Sequence, residues 1–240
     1  MLLLKKKDMS VSDTLSLNAF QIKCLACLFM LIDHIGILLI TPANPAYVYF
    51  RLAGRLALPL FAYMLANGYR HTGSVGKYLL RLTAFAVLIQ AVYYLALGGK
   101  DINIFATLAM GLLSIIAWDK LNQGRDWSVG GVLAVVAAAA AAQLLHMDYG
   151  VYGVLLIFSC HVLYDRLALL ALVWTALALG AHQLHWVGQN QIFAACALLL
   201  IALYNDQPGP GGFWAKWGFY LFYCLHLPLL YGISLLIQLV

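Results

Sequence analysis

Residues 18–40 read NAFQIKCLACLFMLIDHIGILLI, a run long enough to cross a bilayer as one helix, since a span needs about 20 apolar residues. Similar apolar runs recur along the chain, and 64% of its 240 residues are hydrophobic. Only 10% are charged, against about 25% in soluble domains, and the mean hydropathy is +0.89. Such a chain cannot form a polar surface, which excludes a soluble enzyme, a disordered chain and a nucleic-acid-binding domain.

The apolar runs predict an all-α fold, a polytopic transmembrane helix bundle of about nine spans. The spans are expected at residues 18–40, 47–67, 78–97, 102–118, 129–147, 149–164, 167–187, 190–205 and 213–238. The sixth and eighth are short, and one of them is a candidate re-entrant segment, which makes the count uncertain by one. No domain boundary or repeat is visible, so residues 18–240 are predicted to form one bundle after an N-terminal segment, residues 1–17.

The basic residues predict the orientation of the bundle. One set lies at the N-terminus and in alternate loops, and consists of Lys5, Lys6, Lys7, Arg70, Lys77, Arg81, Lys120, Arg125, Arg166 and Lys216. The opposite loops carry only Lys100, with Arg51 and Arg55 at the start of the second span. By the positive-inside rule, this asymmetry predicts a cytoplasmic N-terminus in a bacterial inner membrane. The net charge of +5 is therefore interpreted as a topology signal and not as a nucleic-acid-binding surface.

Two titratable residues stand inside the first span, toward its predicted outer side. A charged side chain at the centre of a membrane helix costs about 2.5–3.5 kcal/mol on insertion scales. Asp33 and His34 are therefore candidates for an acid–base pair, or for a buried pair that joins helices. Because neighbouring helix positions diverge by about 100°, one of the two is expected to face a cavity and the other a neighbouring helix.

Arg51 and Arg55 are spaced four residues apart, which places both guanidinium groups on one face of the second helix. One arginine is expected to pair with Asp33, and the other to hold an anionic group. The alternative is that they reach outward to lipid headgroups, as long basic side chains do at membrane surfaces.

Two further polar sets lie within spans. In the last span, Tyr220, Tyr223 and His226 follow one another at steps of three residues, and His226 stands at mid-membrane, where an aromatic belt does not explain a histidine. In the fourth span, Asn103 and Thr107 share one helix face with Gly111, which favours either substrate contact or hydrogen bonding between helices. The five cysteines all lie in apolar segments and are interpreted as packing residues. No metal site is predicted.

Several blocks of the sequence resemble the TraX family, the pilin acetylases of F-type conjugation systems. They are LSLNAFQIK at residues 15–23 with DHIG at 33–36, RLAGRLALPLFAY at 51–63, NGYRHT at 67–72, NIFAT at 103–107 and FYLFYCLHL at 219–227. The blocks extend over nearly the whole chain. More distantly, the helix with Asp33 and His34 and the closing Tyr-x-x-His pattern are similar to integral-membrane acyltransferase-3 proteins.

The resemblance implies N-acetylation of the N-terminal alanine of a processed pilin, with acetyl-CoA as the donor. Within it, His34 is the expected general base, Asp33 orients His34 or pairs with Arg55, and His226 or Tyr223 polarises the thioester carbonyl. Arg70, Lys77 and Arg81 are the expected phosphate contacts of acetyl-CoA. The acceptor is a pilin or another membrane-inserted protein, and no metal or nucleic acid is expected. The alternative functions are a solute or proton-coupled transporter and a non-catalytic pilus assembly factor.

Overall fold

The computed structural model describes residues 16–97 and 101–238, and regular structure in these ranges is helical apart from two isolated β-bridges. The elements are α1 (Ala19–Leu39), α2 (Ala46–Gly54), α3 (Ala57–His71), α4 (Val75–Leu97), α5 (Ile104–Asn122), α6 (Val129–Leu144), α7 (Gly150–Val162), α8 (Leu167–Gln183), a 3₁₀ helix (Gln189–Cys196), α9 (Ala197–Ala202) and α10 (Phe213–Gln238). The described ranges do not include residues 1–15 of the predicted N-terminal segment 1–17. The predicted topology residues Lys5, Lys6, Lys7 and Lys100 therefore lie outside them.

Each of the nine predicted apolar segments coincides with helix. Among the described residues, five helices are long and apolar enough to cross a membrane: Ala19–Leu39, Ala46–His71, Val75–Tyr94, Ile104–Asn122 and Trp217–Ile237. Four other apolar helices are shorter, at 10–17 residues. At 1.5 Å per residue, a 17-residue helix is about 26 Å long, which is less than the hydrocarbon core of a typical bilayer. The all-helical class is confirmed, whereas the count of about nine spans and the cytoplasmic N-terminus stay predictions.

The contacts within the chain divide it into two compact units. Among the described residues, the central unit runs from Ala62 to Gln189, and the terminal unit combines the residues up to Phe61 with those from Asn190 onward. The terminal unit therefore brings together segments from both ends of the sequence. The sequence shows no boundary at either division, and a single bundle domain remains its prediction.

The start of α1 is fixed by local hydrogen bonds and by a contact with the segment between α9 and α10. Asn18 and Gln21 form a capping box, in which each side chain accepts the other's backbone N–H at 2.9 Å. Such a box satisfies two amides that the helix itself leaves without partners. Leu17 pairs with Tyr204 in an isolated bridge, which ties the entrance of α1 to the loop before α10.

A break separates α2 from α3 inside one long apolar segment. Pro59 lacks an N–H, so the carbonyl of Arg55, four residues earlier, has no helical partner. The helix is interrupted at Arg55 and Leu56. Arg55 therefore lies at an irregular position in the middle of the segment, where its side chain can turn toward α1. Pro228, by contrast, lies inside the continuous helix α10.

Small residues allow close packing in the central unit. A Cβ added to Gly111 would lie 2.6 Å from Ile157, and one added to Gly153 would lie 2.7 Å from the methyl group of Thr107. The alanine-rich helix α6 buries Ala138, Ala139 and Ala142 in one cluster. The glycines of α5 and α7 and the alanines of α6 thus let neighbouring helices approach closely.

Candidate functional site

The carboxylate of Asp33 binds both arginines of the second predicted span. Its Oδ2 lies 2.7 Å from Nη1 of Arg51, and its Oδ1 lies 3.0 Å from Nη2 of Arg55. The prediction that one arginine pairs with Asp33 is confirmed for Arg55. Arg51, which was expected to hold a separate anion, is an ion-pair partner of the same carboxylate. All three side chains are largely buried, with 13% of Asp33, 12% of Arg55 and 23% of Arg51 exposed.

Two residues that the sequence did not single out hold this group in position. Nη1 of Arg55 donates a hydrogen bond to Oε1 of Gln191 at 3.1 Å, and Gln191 is 1% exposed. Gly54 lies so close to Asp33 that a Cβ at that position would overlap its side chain. The only sequence signal for Gln191 is a polar residue at the start of an otherwise apolar segment. We call Asp33, Arg51, Arg55 and Gln191 the Asp33 cluster.

Arg51 keeps unused hydrogen-bonding capacity within the cluster. Its Nη1 is buried in the 2.7 Å ion pair with Oδ2 of Asp33, and it makes no further hydrogen bond with the described residues. A guanidinium nitrogen in such an ion pair remains a donor for another anionic oxygen. One negative charge faces two positive charges, so the three ionised side chains carry a net charge of +1.

The second feature is a contact between two histidines from opposite ends of the chain. Nε2 of His226 lies 3.2 Å from Nδ1 of His34, and the two ring centroids are 4.9 Å apart. His226 is 4% exposed. We call His34 and His226 the histidine pair. Both belong to the terminal unit, as does the whole Asp33 cluster.

Backbone carbonyls fix the protonation of the two rings. Nδ1 of His34 lies 2.9 Å from the carbonyl oxygen of Met30, and Nδ1 of His226 lies 2.9 Å from that of Tyr223. Because a carbonyl oxygen only accepts, each neutral ring carries its proton on Nδ1. The single Nδ1–H of His34 is then shared between two acceptors, the carbonyl of Met30 at 2.9 Å and Nε2 of His226 at 3.2 Å. Nε2 of His34 is left with a free lone pair and no hydrogen-bond partner among the described residues.

Aromatic rings enclose His226. Phe222 stacks on its ring with centroids 5.3 Å apart and planes at 7°, and Tyr223 packs edge-on at 5.3 Å. Tyr223 is 6% exposed, so its ring is part of the packing around the pair. Of the two roles expected for Asp33, the geometry provides the pairing with Arg55, since the contacts that hold His34 come from Met30 and His226.

Asn103 and Thr107 lie in the central unit and bind backbone groups of other segments. The side chain of Asn103 caps α5 by accepting the N–H of Phe105 at 3.0 Å, and it donates to the carbonyl of Ala86 at 2.7 Å. Thr107 is fully buried and donates to the carbonyl of Asp148 at 2.5 Å. The bond from Asn103 to Ala86 is the hydrogen bond between helices that the sequence offered as the alternative to substrate contact.

The basic residues expected to bind acetyl-CoA also lie in the central unit. Arg70 stacks on the ring of Tyr164 at 4.0 Å, donates to the carbonyl of His161 at 3.3 Å and lies 3.8 Å from Asp165. Arg81 lies over the ring of Tyr78 at 5.4 Å, and Lys77 is exposed. Their role in donor binding stays a prediction.

Near Arg70, the central unit also carries a group of three polar residues, Tyr69, Asp119 and His161, that was not predicted from the sequence. Asp119 accepts a hydrogen bond from the hydroxyl of Tyr69 at 2.7 Å and lies 3.0 Å from Nε2 of His161. These residues come from the C-terminal ends of α3, α5 and α7. They are far apart in the sequence and have no common spacing, so no sequence pattern identifies them. In the described ranges, no three His, Cys, Asp or Glu side chains are grouped to hold a metal ion.

Helices of membrane-spanning length, with ionised and titratable side chains buried in one unit, indicate an integral membrane protein with a polar site. The chain belongs to the TraX protein family, whose sequence model matches residues 18–234. It is also similar to the probable fimbrial assembly protein FimC, serogroup H1, of Dichelobacter nodosus. The two are 26% identical over 254 residues, which cover 95% of this chain and 100% of that relative. No solved structure matches the chain, and the similarity to acyltransferase-3 proteins stays a prediction.

Proposed function

We propose that this protein is a membrane-embedded acetyltransferase that acts in pilus or fimbrial assembly. It transfers an acetyl group from acetyl-CoA to the N-terminal amine of a processed pilin in the bacterial inner membrane. The observation that carries this proposal is the histidine pair, in which the tautomer set by the carbonyl of Met30 leaves Nε2 of His34 unprotonated, one residue after Asp33 of the buried cluster. Membership of the TraX family and the fimbrial assembly relative support the biological setting.

His34 acts as the general base in the proposed reaction. Its Nε2 removes a proton from the ammonium group of the acceptor, because only the neutral amine is nucleophilic. The amine nitrogen then attacks the thioester carbonyl, the carbon–sulfur bond breaks, and the thiolate of CoA takes the second proton that the nitrogen releases. General-base catalysis of this kind contributes about 10²–10⁴ in rate.

His226 supports His34 from the other side of its ring. When Nε2 of His34 gains a proton, the ring becomes positive and its Nδ1–H becomes a stronger donor. Nε2 of His226 accepts from that group at 3.2 Å, which stabilises the charged form. We therefore assign His226 a positioning and proton-sharing role through His34, in place of direct polarisation of the thioester that the sequence suggested. Tyr223 holds the ring of His226 by packing.

The Asp33 cluster supplies positive charge at the reacting centre. Asp33 neutralises one arginine and keeps both guanidinium groups in place, so the cluster has a surplus of one positive charge. Beyond its ion pair with Asp33, Nη1 of Arg51 makes no hydrogen bond with the described residues, and it is the group we assign to the oxyanion that forms when the carbonyl is attacked. Donors aimed at developing charge are among the largest contributions to enzymatic rates.

Mass spectrometry of the acceptor tests this function. The full-length protein is produced together with the pilin of its own genome, and the N-terminus of the processed pilin is analysed. We expect acetylation with the wild-type protein and none with His34→Ala. His182→Ala is the matched control, since it removes a histidine of the central unit outside the site. Full acetylation by membrane-inserted His34→Ala would refute the assigned mechanism.

A non-catalytic role in assembly is the second candidate function, favoured by the name of the fimbrial relative. An assembly factor need not bind acetyl-CoA or modify the pilin. If pili are lost on deletion of the gene while the pilin N-terminus is unmodified in the wild type, the assembly role replaces the enzymatic one.

A further inference from the structure

A cleft of about 330 Å³ opens beside the first turns of α1 in the terminal unit. Its lining consists of Phe20 and Lys23 of α1, Ala215 of α10, and the loop residues Pro208 and 210–212. We call this feature the Lys23 cleft. Among the side chains that the structure describes, Lys23 is the only charged one in this lining, and the others are apolar or glycine. None of them belongs to the site described above.

Lys23 has no counter-charge in the part of the chain that the structure describes. Its ammonium group makes neither an ion pair nor a hydrogen bond there, and Nζ lies 5.8 Å from the ring centroid of Phe219. A cation over an aromatic ring is only partly compensated. A lysine in an apolar helix is normally paired, or marks the path of a ligand. Since no described residue neutralises Lys23, an anionic ligand at the cleft would supply the missing counter-charge.

The loop that forms the other wall is held against the start of α1. The N–H of Ala19 donates to the carbonyl of Gln207 at 2.8 Å, and that of Asn205 donates to the carbonyl of Leu17 at 2.9 Å. Gly209 has φ +76, and a Cβ there would lie 2.5 Å from Oδ1 of Asn18, so only glycine fits this approach. The loop that faces Lys23 is thus held in place by contacts within the chain, without a ligand.

The described residues give no hydrogen-bond partner to the backbone N–H groups of Gly211 and Gly212. Both glycines line the Lys23 cleft. Free amides next to a lysine provide donors of the kind that bind phosphate oxygens. The prolines and Phe20 add an apolar surface for the organic part of the same ligand.

We propose that the Lys23 cleft binds the phosphate groups of the acyl donor, with Lys23 as the counter-charge. This inference rests on the proposed acetyltransferase function and names the place where its donor is held. Lys23 precedes His34 by 11 residues on α1, which is close to three complete turns and about 16 Å along the axis. The two side chains therefore lie on one helix face, and a long donor held at Lys23 can extend its thioester toward His34.

Direct binding of coenzyme A to the purified full-length protein tests the proposal. Calorimetry in detergent compares the wild type with Lys23→Gln and Lys23→Arg, and with Ala215→Phe, which fills the cleft and keeps the charge. Lys120→Gln, an exposed lysine of α5, is the matched control. Loss of a charged hydrogen bond should weaken binding at least about tenfold in Lys23→Gln. Ala215→Phe should weaken it as well, Lys23→Arg should retain most of the affinity, and Lys120→Gln should match the wild type.

Three results would overturn the proposal. The first is that a folded Lys23→Gln protein binds coenzyme A as tightly as the wild type. The second is that Arg70→Gln or Lys77→Gln weakens binding while Lys23→Gln does not. The third is that the wild type does not bind coenzyme A. The same proteins are compared in nanodiscs of phosphatidylcholine with and without phosphatidylglycerol. If Lys23→Gln changes the binding of phosphatidylglycerol and leaves that of coenzyme A unchanged, the cleft holds a lipid headgroup and the donor assignment fails.

The binding assay separates this inference from the proposed function. Binding of coenzyme A that depends on Lys23, together with an unmodified pilin, supports the cleft and contradicts the acetyltransferase. Acetylation of the pilin with an unchanged KM for acetyl-CoA in Lys23→Gln supports the enzyme and contradicts the cleft.

Discussion

Asp33 of α1 packs directly against the backbone of Gly54 at the end of α2. A Cβ at position 54 would overlap the carboxylate side chain, so the ion pairs of Asp33 exist only because this position carries no side chain. The contact also explains how a helix with a buried acid approaches one with two arginines. A glycine thus decides the geometry of the charged part of the site.

Gly54→Ala should therefore damage both stability and activity. Forcing a methyl group into packed surroundings costs about 1–3 kcal/mol, and here it displaces Asp33 from Arg55. We expect a lower Tm for the detergent-purified protein and loss of pilin acetylation. Gly76→Ala is the control, because a Cβ at Gly76 meets nothing within 4 Å. Equal Tm values for the two variants would contradict this packing argument.

Removing the Asp33 carboxylate alone should lower the stability of the protein more than removing Asp33 and Arg55 together. Asp33→Asn leaves two adjacent buried arginines uncompensated, and breaking a buried pair in this way costs about 3–5 kcal/mol. In the double variant Asp33→Asn/Arg55→Gln, one of those charges is gone, so part of the stability should return. Thermal unfolding measures both, with Asp165→Asn as the control. Asp165 is 63% exposed, and its ion pair should contribute about 1 kcal/mol or less. A double variant less stable than Asp33→Asn would refute the coupling.

The histidine pair should behave as one unit in kinetics. His34→Ala removes the general base and should lower kcat by about 10²–10⁴, whereas His226→Ala should cause a smaller loss, because it acts through His34. The double variant should be no slower than His34→Ala, since residues that act together give non-additive effects. Single-turnover acetylation assays compare the three proteins. Additive losses would mean that the two histidines act independently.

Gln191→Leu tests whether this glutamine positions Arg55. The substitution removes the acceptor of the Nη1 hydrogen bond, and loss of a buried partner of a charged group costs about 1.5–3 kcal/mol. We expect a lower Tm and a reduced kcat with a nearly unchanged KM for acetyl-CoA. Gln189→Leu changes an exposed glutamine nearby and should shift stability by about 0.5 kcal/mol or less. A change in KM alone would point to a different role for Gln191.

Asn103→Ala distinguishes a structural asparagine from a substrate contact. The variant loses the cap of α5 and the bond to Ala86, and loss of an N-cap alone costs about 1 kcal/mol. Stability should therefore fall, while the KM values of the remaining folded protein stay at wild-type levels. A raised KM with an unchanged Tm would restore the substrate-binding interpretation.

The sequence by itself determined the helical membrane class, the approximate bounds of the apolar segments and the carbonyl that Pro59 leaves without a helical partner. Those features depend on local properties, namely the length of apolar runs and the missing N–H of proline. The sequence also showed that Asp33, His34 and His226 are exceptional, because a titratable side chain in an apolar run is visible without any structure.

Only the tertiary structure decided which of these residues meet. The helices are apolar on almost every side, so their sequences carry little periodic signal about which face turns toward which neighbour. His34 and His226 are 192 residues apart, and Gln191 reaches Arg55 across 136 residues. The contacts that join Asp33 to both arginines, and the cleft beside Lys23, arise from packing between distant segments. Packing of that kind also gave Asn103 its partner on α4 and Thr107 its partner in the turn before α7.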